Sequence, residues 1–174
     1  MQDRRPYAFS TAHVTQMVGI TPTYLNALIQ RQDKLYGNAA SISDHLPGEI
    51  KVRIFSKDDV LGIALVWILF EAGLRPKSIK DILLSLVKTK KPDAAAAADF
   101  VSSSEANYLV LIREQGTSKG KVKPRLWVKP TTTERLIELV NDSVAKHPTA
   151  NILLVPIGEK FLDVEMQMKA MFGD

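Results

Sequence analysis

Thr23, Asn26 and Gln30 carry the clearest chemical signal in the chain. They lie three and four apart, so a helix through them presents a hydroxyl and two carboxamides on one face. Such a row suits the reading of base edges, because Asn and Gln each pair a donor with an acceptor and bond N6 and N7 of adenine together. Thr21 stands just before the row and Tyr24 beside it. Basic residues of the same half offer the complementary chemistry, attraction to a line of phosphates with release of condensed counterions. Arg31, Lys51, Arg53 and Lys57 are placed for that role, and Arg4 with Arg5 form an arm suited to a backbone or a minor groove. Plainer readings stand beside these. Arg53 fits equally as the partner of an acidic neighbour, Arg4 and Arg5 as a solubilising tail, and Tyr24 as a packing residue.

Other chemistry is thin. The chain has no cysteine, which excludes disulfides, thiolate metal sites, iron-sulfur clusters and thiol redox sensing. His13, His45 and His147 are far apart and share no metal-ligand spacing, so no dedicated metal site is expected. No glycine-rich phosphate loop, nucleophile elbow or metal-hydrolase motif occurs and the carboxylates are scattered, so neither an enzyme nor a cofactor is expected. The charge is uneven. Residues 1–91 hold 13 Lys or Arg against 8 Asp or Glu, a balance of +5, while residues 92–174 hold 10 against 11, a balance of −1. A basic half beside a neutral one suits a polyanionic partner. The start, MQDRRPYAFS, is basic with no apolar run behind it, and Val60 to Phe70 is too short for the ~20 residues of a membrane span. A cytoplasmic location is expected.

The elements that must position these residues follow from periodicity and punctuation. Val14, Met17 and Val18 mark a helix from Ser10 or Thr11 that stops at Gly19. Thr21 as N-cap, Pro22 in the first turn and Leu25, Leu28 and Ile29 as an inward stripe mark a second helix to about Arg31, giving a helix-turn-helix. Gln32 to Glu49 reads as a long loop and Ile50 to Phe55 as a strand. Ser56 with Asp59 has capping-box spacing and opens an apolar helix ending at Gly73, with Trp67 and Phe70 in the core. Another helix is expected over Lys77 to Lys88. Residues 92–104, with five alanines and three serines, read as a connector with local helix preference. Beyond it come strands at Tyr108 to Arg113, Val122 to Lys129 and Asn151 to Ile157. A turn is expected at Gln115 to Gly120, and helices from about Thr131 to Lys146 and from Glu159 to Phe172. The basic run Lys119, Lys121, Lys123, Arg125 and Lys129 suits either an anionic ligand or lysines guarding an edge strand.

Residues 7 to 86 resemble the MerR family of bacterial transcriptional regulators. Phe9, Val14, Met17, Gly19 and Ile20 fall where that family's first helix and turn place such residues, and Thr21, Pro22 and Leu25 match the opening of its recognition helix. Val52 to Val60 looks like the wing strand and the capped third helix, and Gly73 to Ile79 like the entry to the fourth. The chain departs from the family at Thr15, Asn26, Ala27, Leu28 and Ile29, has a longer loop before the wing, and shows no sustained heptad for a dimerising coiled coil. The resemblance implies an N-terminal all-α winged helix-turn-helix with a short wing strand pair over 1–91. Residues 92–104 would then be a connector, and 105–174 a small α+β domain for dimerisation or for an effector or protein partner. It further implies a sequence-specific regulator that binds double-stranded DNA as a homodimer. An excisionase-like or architectural DNA binder, or a winged domain turned to protein interaction, are the alternatives.

Overall fold

The computed structural model describes residues 9–30, 41–42, 53–89, 91–118 and 121–172. Within them the architecture is mixed α/β, with seven helices and two three-stranded antiparallel sheets.

Ser10 opens α1 (Thr11–Val18). Its hydroxyl accepts from His13 N, and its own N–H donates to His13 Nδ1, so the ring takes the place that Glu or Gln usually fills in a capping box. Gly19 ends the helix at φ 75°, a left-handed conformation that costs glycine little and lets the chain reverse at once. Thr21 then caps α2 (Pro22–Gln30), its Oγ1 accepting from Tyr24 N at 3.2 Å.

The first sheet is where the sequence reading and the structure part. A strand pair within an otherwise helical region was expected, and the sheet has three strands in the order β1-β3-β2. β1 (Phe9–Ser10) immediately precedes α1, β2 (Ser41–Ile42) lies within the stretch read as loop, and β3 (Arg53–Phe55) pairs with both. Two-residue strands are too short for period-two alternation to register, so only β3 left a readable trace.

α3 (Lys57–Glu71) is capped as expected, Asp59 N donating to Ser56 Oγ while the Asp59 carboxylate accepts from Ser56 N at 2.8 Å. It is buried on nearly every side because α1, α4 (Pro76–Val87), α5 (Ala94–Ser103) and α7 (Gly158–Phe172) surround it. α5 is the alanine run. Ala94, Ala97, Ala98 and Val101 are fully buried, and Gly62 of α3 lets the two backbones close until a Cβ there would stand 2.8 Å from Ala94 C and Ala95 N. The small side chains serve close approach, and one continuous apolar cluster runs from Phe9 through α5 to Met168.

The second sheet has the order β5-β4-β6. β4 (Tyr108–Ser118) pairs with β5 (Lys121–Thr131) along its whole length but with β6 (Asn151–Pro156) only from Tyr108 to Arg113. Gln115 to Ser118, expected as turn, therefore continue β4 as a two-stranded ribbon beyond the third strand. Backbone pairing with Lys121 to Pro124 holds these residues in a strand that their polar sequence does not signal. Asn107 fastens the corners. Its Oδ1 accepts from Thr133 N at the start of α6 (Thr133–Lys146), and its carbonyl accepts from Ile157 N and Gly158 N at the entry to α7.

Candidate nucleic-acid interface

Val14, Met17 and Val18 of α1 meet Leu25 and Leu28 of α2 in the core, each almost wholly buried. At 100° per residue that burial turns Thr23, Asn26 and Ala27 outward, and all three are exposed. Position 30 falls on the same face, at the last residue of α2. No acidic or basic residue occurs between Pro22 and Gln30, so the outward face offers hydroxyl and carboxamide groups without a formal charge. Exposed Thr21 adds its hydroxyl at the N-terminus, where the helix dipole is positive, though that oxygen already accepts from Tyr24 N.

Tyr24 stands apart from the row. Its ring meets Trp67 edge-on at 4.8 Å between centroids and Phe70 at 5.9 Å, which fastens α2 to α3. The packing alternative named for Tyr24 describes where its ring lies.

The predicted cations distribute unevenly. Lys57 sits at the first position of α3, and its ammonium reaches Glu165 of α7 at 3.4 Å. Both side chains are partly exposed, so the pair is weak and a phosphate would compete for it. Arg53 occupies the central strand of the first sheet, its backbone paired with Ile42. Arg4, Arg5, Arg31 and Lys51 lie outside the described residues, as do the side chains of Gln30 and Arg53.

One cation was missed. Lys160 of α7 brings Nζ within 3.5 Å of the place a Cβ would take on Gly19, at the turn between α1 and α2. No local signal marks a residue that arrives from the far end of the chain. Its distance from the turn in sequence is the whole reason.

No protein-family model matches this chain, and no curated protein matches it at a significant level.

A concavity lies away from α2. A cavity of about 520 Å³ opens between α4, α5, β5 and α6, with Phe100 and Leu86 on its apolar side and Lys88, Lys129, Arg135 and Asp142 among its charged groups. A hydrogen bond from Lys146 holds the Asp142 carboxyl below the usual aspartate range. Among the described residues no group of three His, Cys, Asp or Glu is placed to hold a metal ion, and no helix is long and apolar enough to cross a membrane.

Proposed function

We propose that this protein binds double-stranded DNA sequence-specifically through a winged helix-turn-helix of MerR-like type and regulates transcription as a homodimer. The observation that carries the reading is the outward face of α2, where Thr23 and Asn26 are exposed directly opposite the buried Leu25 and Leu28. A short helix held by its inner stripe, with uncharged hydrogen-bonding groups outward, fits a major groove and discriminates bases without adhering to phosphate indiscriminately. Phosphate attraction then falls to Lys57, to the unforeseen Lys160 at the turn before α2 and, by its place in the sequence, to Arg53. The small sheet centred on β3 takes the place of the wing.

The lack of charge on α2 also supports a second reading, in which the same surface meets a protein. One experiment separates them. Asn26→Ala is compared with the natural protein on a selected operator and on random duplex at one salt concentration. Under the DNA reading it loses about 1–3 kcal/mol at the operator and almost nothing on random duplex. Equal loss on both removes Asn26 from base readout, and failure of the natural protein to bind any duplex at low salt removes the DNA reading altogether.

A further inference from the structure

Strand β6 ends the second sheet, and among the described residues nothing pairs with its outer edge. Its sequence is Asn151-Ile152-Leu153-Leu154-Val155-Pro156, six residues without a charge. Edge strands are ordinarily protected by lysines, proline, bulges or a covering element, and among the described residues β6 has of these only Pro156, at its last position. The lysines of this sheet lie on β5, at the opposite edge.

Both faces beside the bare edge carry exposed apolar side chains, although Glu159, Lys160 and Asp163 also line the hollow at its end. Ile152 and Leu154 lie on the face that carries Val110 and Ile112 of β4. α6 rests on β4 and β5, and one flank of it, with Arg135, Leu139 and Asp142, lines the cavity beside β5. Its other flank carries Ile137 and Val144, seven residues apart, which the helical step turns toward β6. Ile137 is 74% exposed and Val144 51%, and Leu154 of β6 is 40% exposed. On the sheet's other face Leu153 is 39% exposed, and at the strand's end Pro156 shares a hollow of about 480 Å³ with Leu162 and Met166 of α7, themselves 60% and 59% exposed. At ~100 Å² for each fully exposed aliphatic side chain, these six residues leave roughly 300 Å² of apolar surface in water. That is about two-thirds of the ~450 Å² of non-polar area each side contributes to an interface of standard size, before the strand's own backbone is counted.

We infer that the occupant of this edge is a second copy of the same chain, joined by antiparallel pairing of β6 with its counterpart. An antiparallel strand complements itself about a two-fold axis, so one uncharged segment serves both sides and the contact closes at two. The three-stranded sheets become one of six strands. Both α6 helices then lie on the same side of it, and the Ile137 and Val144 shoulders close over Ile152 and Leu154 at the seam. The choice of a second copy rests in part on the DNA-binding reading, because two-fold operators are read by two-fold dimers.

The test uses the full chain without DNA. Sedimentation should show a dimer, and Ile137→Glu and Leu154→Lys should each weaken association at least tenfold. Ile137 is so exposed that its variant keeps the natural fold, which circular dichroism checks. Because the chain has no cysteine, a single introduced thiol reports proximity. Central residues of a self-paired strand face their own copies at Cα separations of ~4.5–5.5 Å, within disulfide range. Leu153→Cys or Leu154→Cys should therefore cross-link on oxidation, while Phe100→Cys, 45% exposed on the cavity side, should not. A monomer at every concentration overturns the inference and leaves the edge to a strand from another protein. A dimer indifferent to both charged variants, or one cross-linked as readily through position 100, overturns it too. DNA binding by a persistent monomer defeats this interface alone, whereas a β6-joined dimer that ignores all duplex DNA defeats only the DNA reading.

Discussion

Gly62→Ala puts a number on the joint between α3 and α5. Within an exposed helix the change stabilises by about 1 kcal/mol, since alanine restricts the unfolded chain and suits the helix better. At position 62 the new methyl would stand 2.8 Å from Ala94 C and Ala95 N and 3.0 Å from Ala94 O. Comfortable carbon contacts begin near 3.5 Å, and these neighbours are backbone atoms that no rotamer change can move. Relief requires α5 to shift by the better part of an ångström. Such a shift loosens Ala94, Ala97, Ala98 and Val101, all fully buried. Overpacking of this kind costs about 1–3 kcal/mol, and the immobility of the neighbours places the cost toward the upper end. After subtracting the propensity gain, the net loss is about 1–2 kcal/mol, a fall of roughly 2–8 °C in melting midpoint for a chain of this size. Thermal and urea unfolding followed by circular dichroism measure it, with Asn141→Ala on exposed α6 as a control expected to stabilise slightly. A melting midpoint raised by Gly62→Ala would refute the close approach of α3 and α5 and with it the account of the alanine run.

Three further substitutions, at two positions, test the surface around α2. Lys160→Ala should flatten the slope of log affinity against log salt by about one unit and weaken binding to all duplexes alike, as loss of one phosphate contact does; an unchanged slope removes Lys160 from the interface. Tyr24→Ala should destabilise the fold by about 2 kcal/mol, roughly half the cost of truncating a fully buried aromatic, because its half-buried ring loses Trp67 and Phe70. Tyr24→Phe should leave stability and DNA affinity unchanged, and a selective loss of affinity in that variant would show that the hydroxyl touches DNA.

What could be read along the chain depended on whether the cause was local. Gly19 after Val18, Thr21 before Pro22, and Ser56 three residues before Asp59 are caps and stops whose partners lie within one turn, and α1, α2 and α3 begin and end within a residue or two of expectation. The alanine run shows where local evidence stops. Five alanines announce a helix but carry no apolar stripe strong enough to announce burial, and the partner that makes them core is Gly62, some thirty residues earlier. The stretch looks like a spacer until both helices are placed together. A cut at residue 91 would strip that face from α3, along with the contact of α7 on α1 and α3. The boundary suggested by composition therefore crosses a continuous core.

The candidate surface divides along the same line. That Thr23 and Asn26 point outward follows from the positions of Leu25 and Leu28 and needed only the helical period. Which cations stand near them did not, because charge carries no periodic signature and its neighbours are set by tertiary packing. Lys57 reads as a phosphate ligand by its place after the wing strand, yet α7 brings Glu165 to its ammonium; the same helix delivers Lys160 to the Gly19 turn. One helix at the far end of the chain thus pairs weakly with one cation and supplies another. If α2 meets DNA as proposed, placement of α7 sets the electrostatics of that surface as surely as α2 sets its hydrogen bonds. A loosened α7 should accordingly change salt dependence before it changes sequence preference.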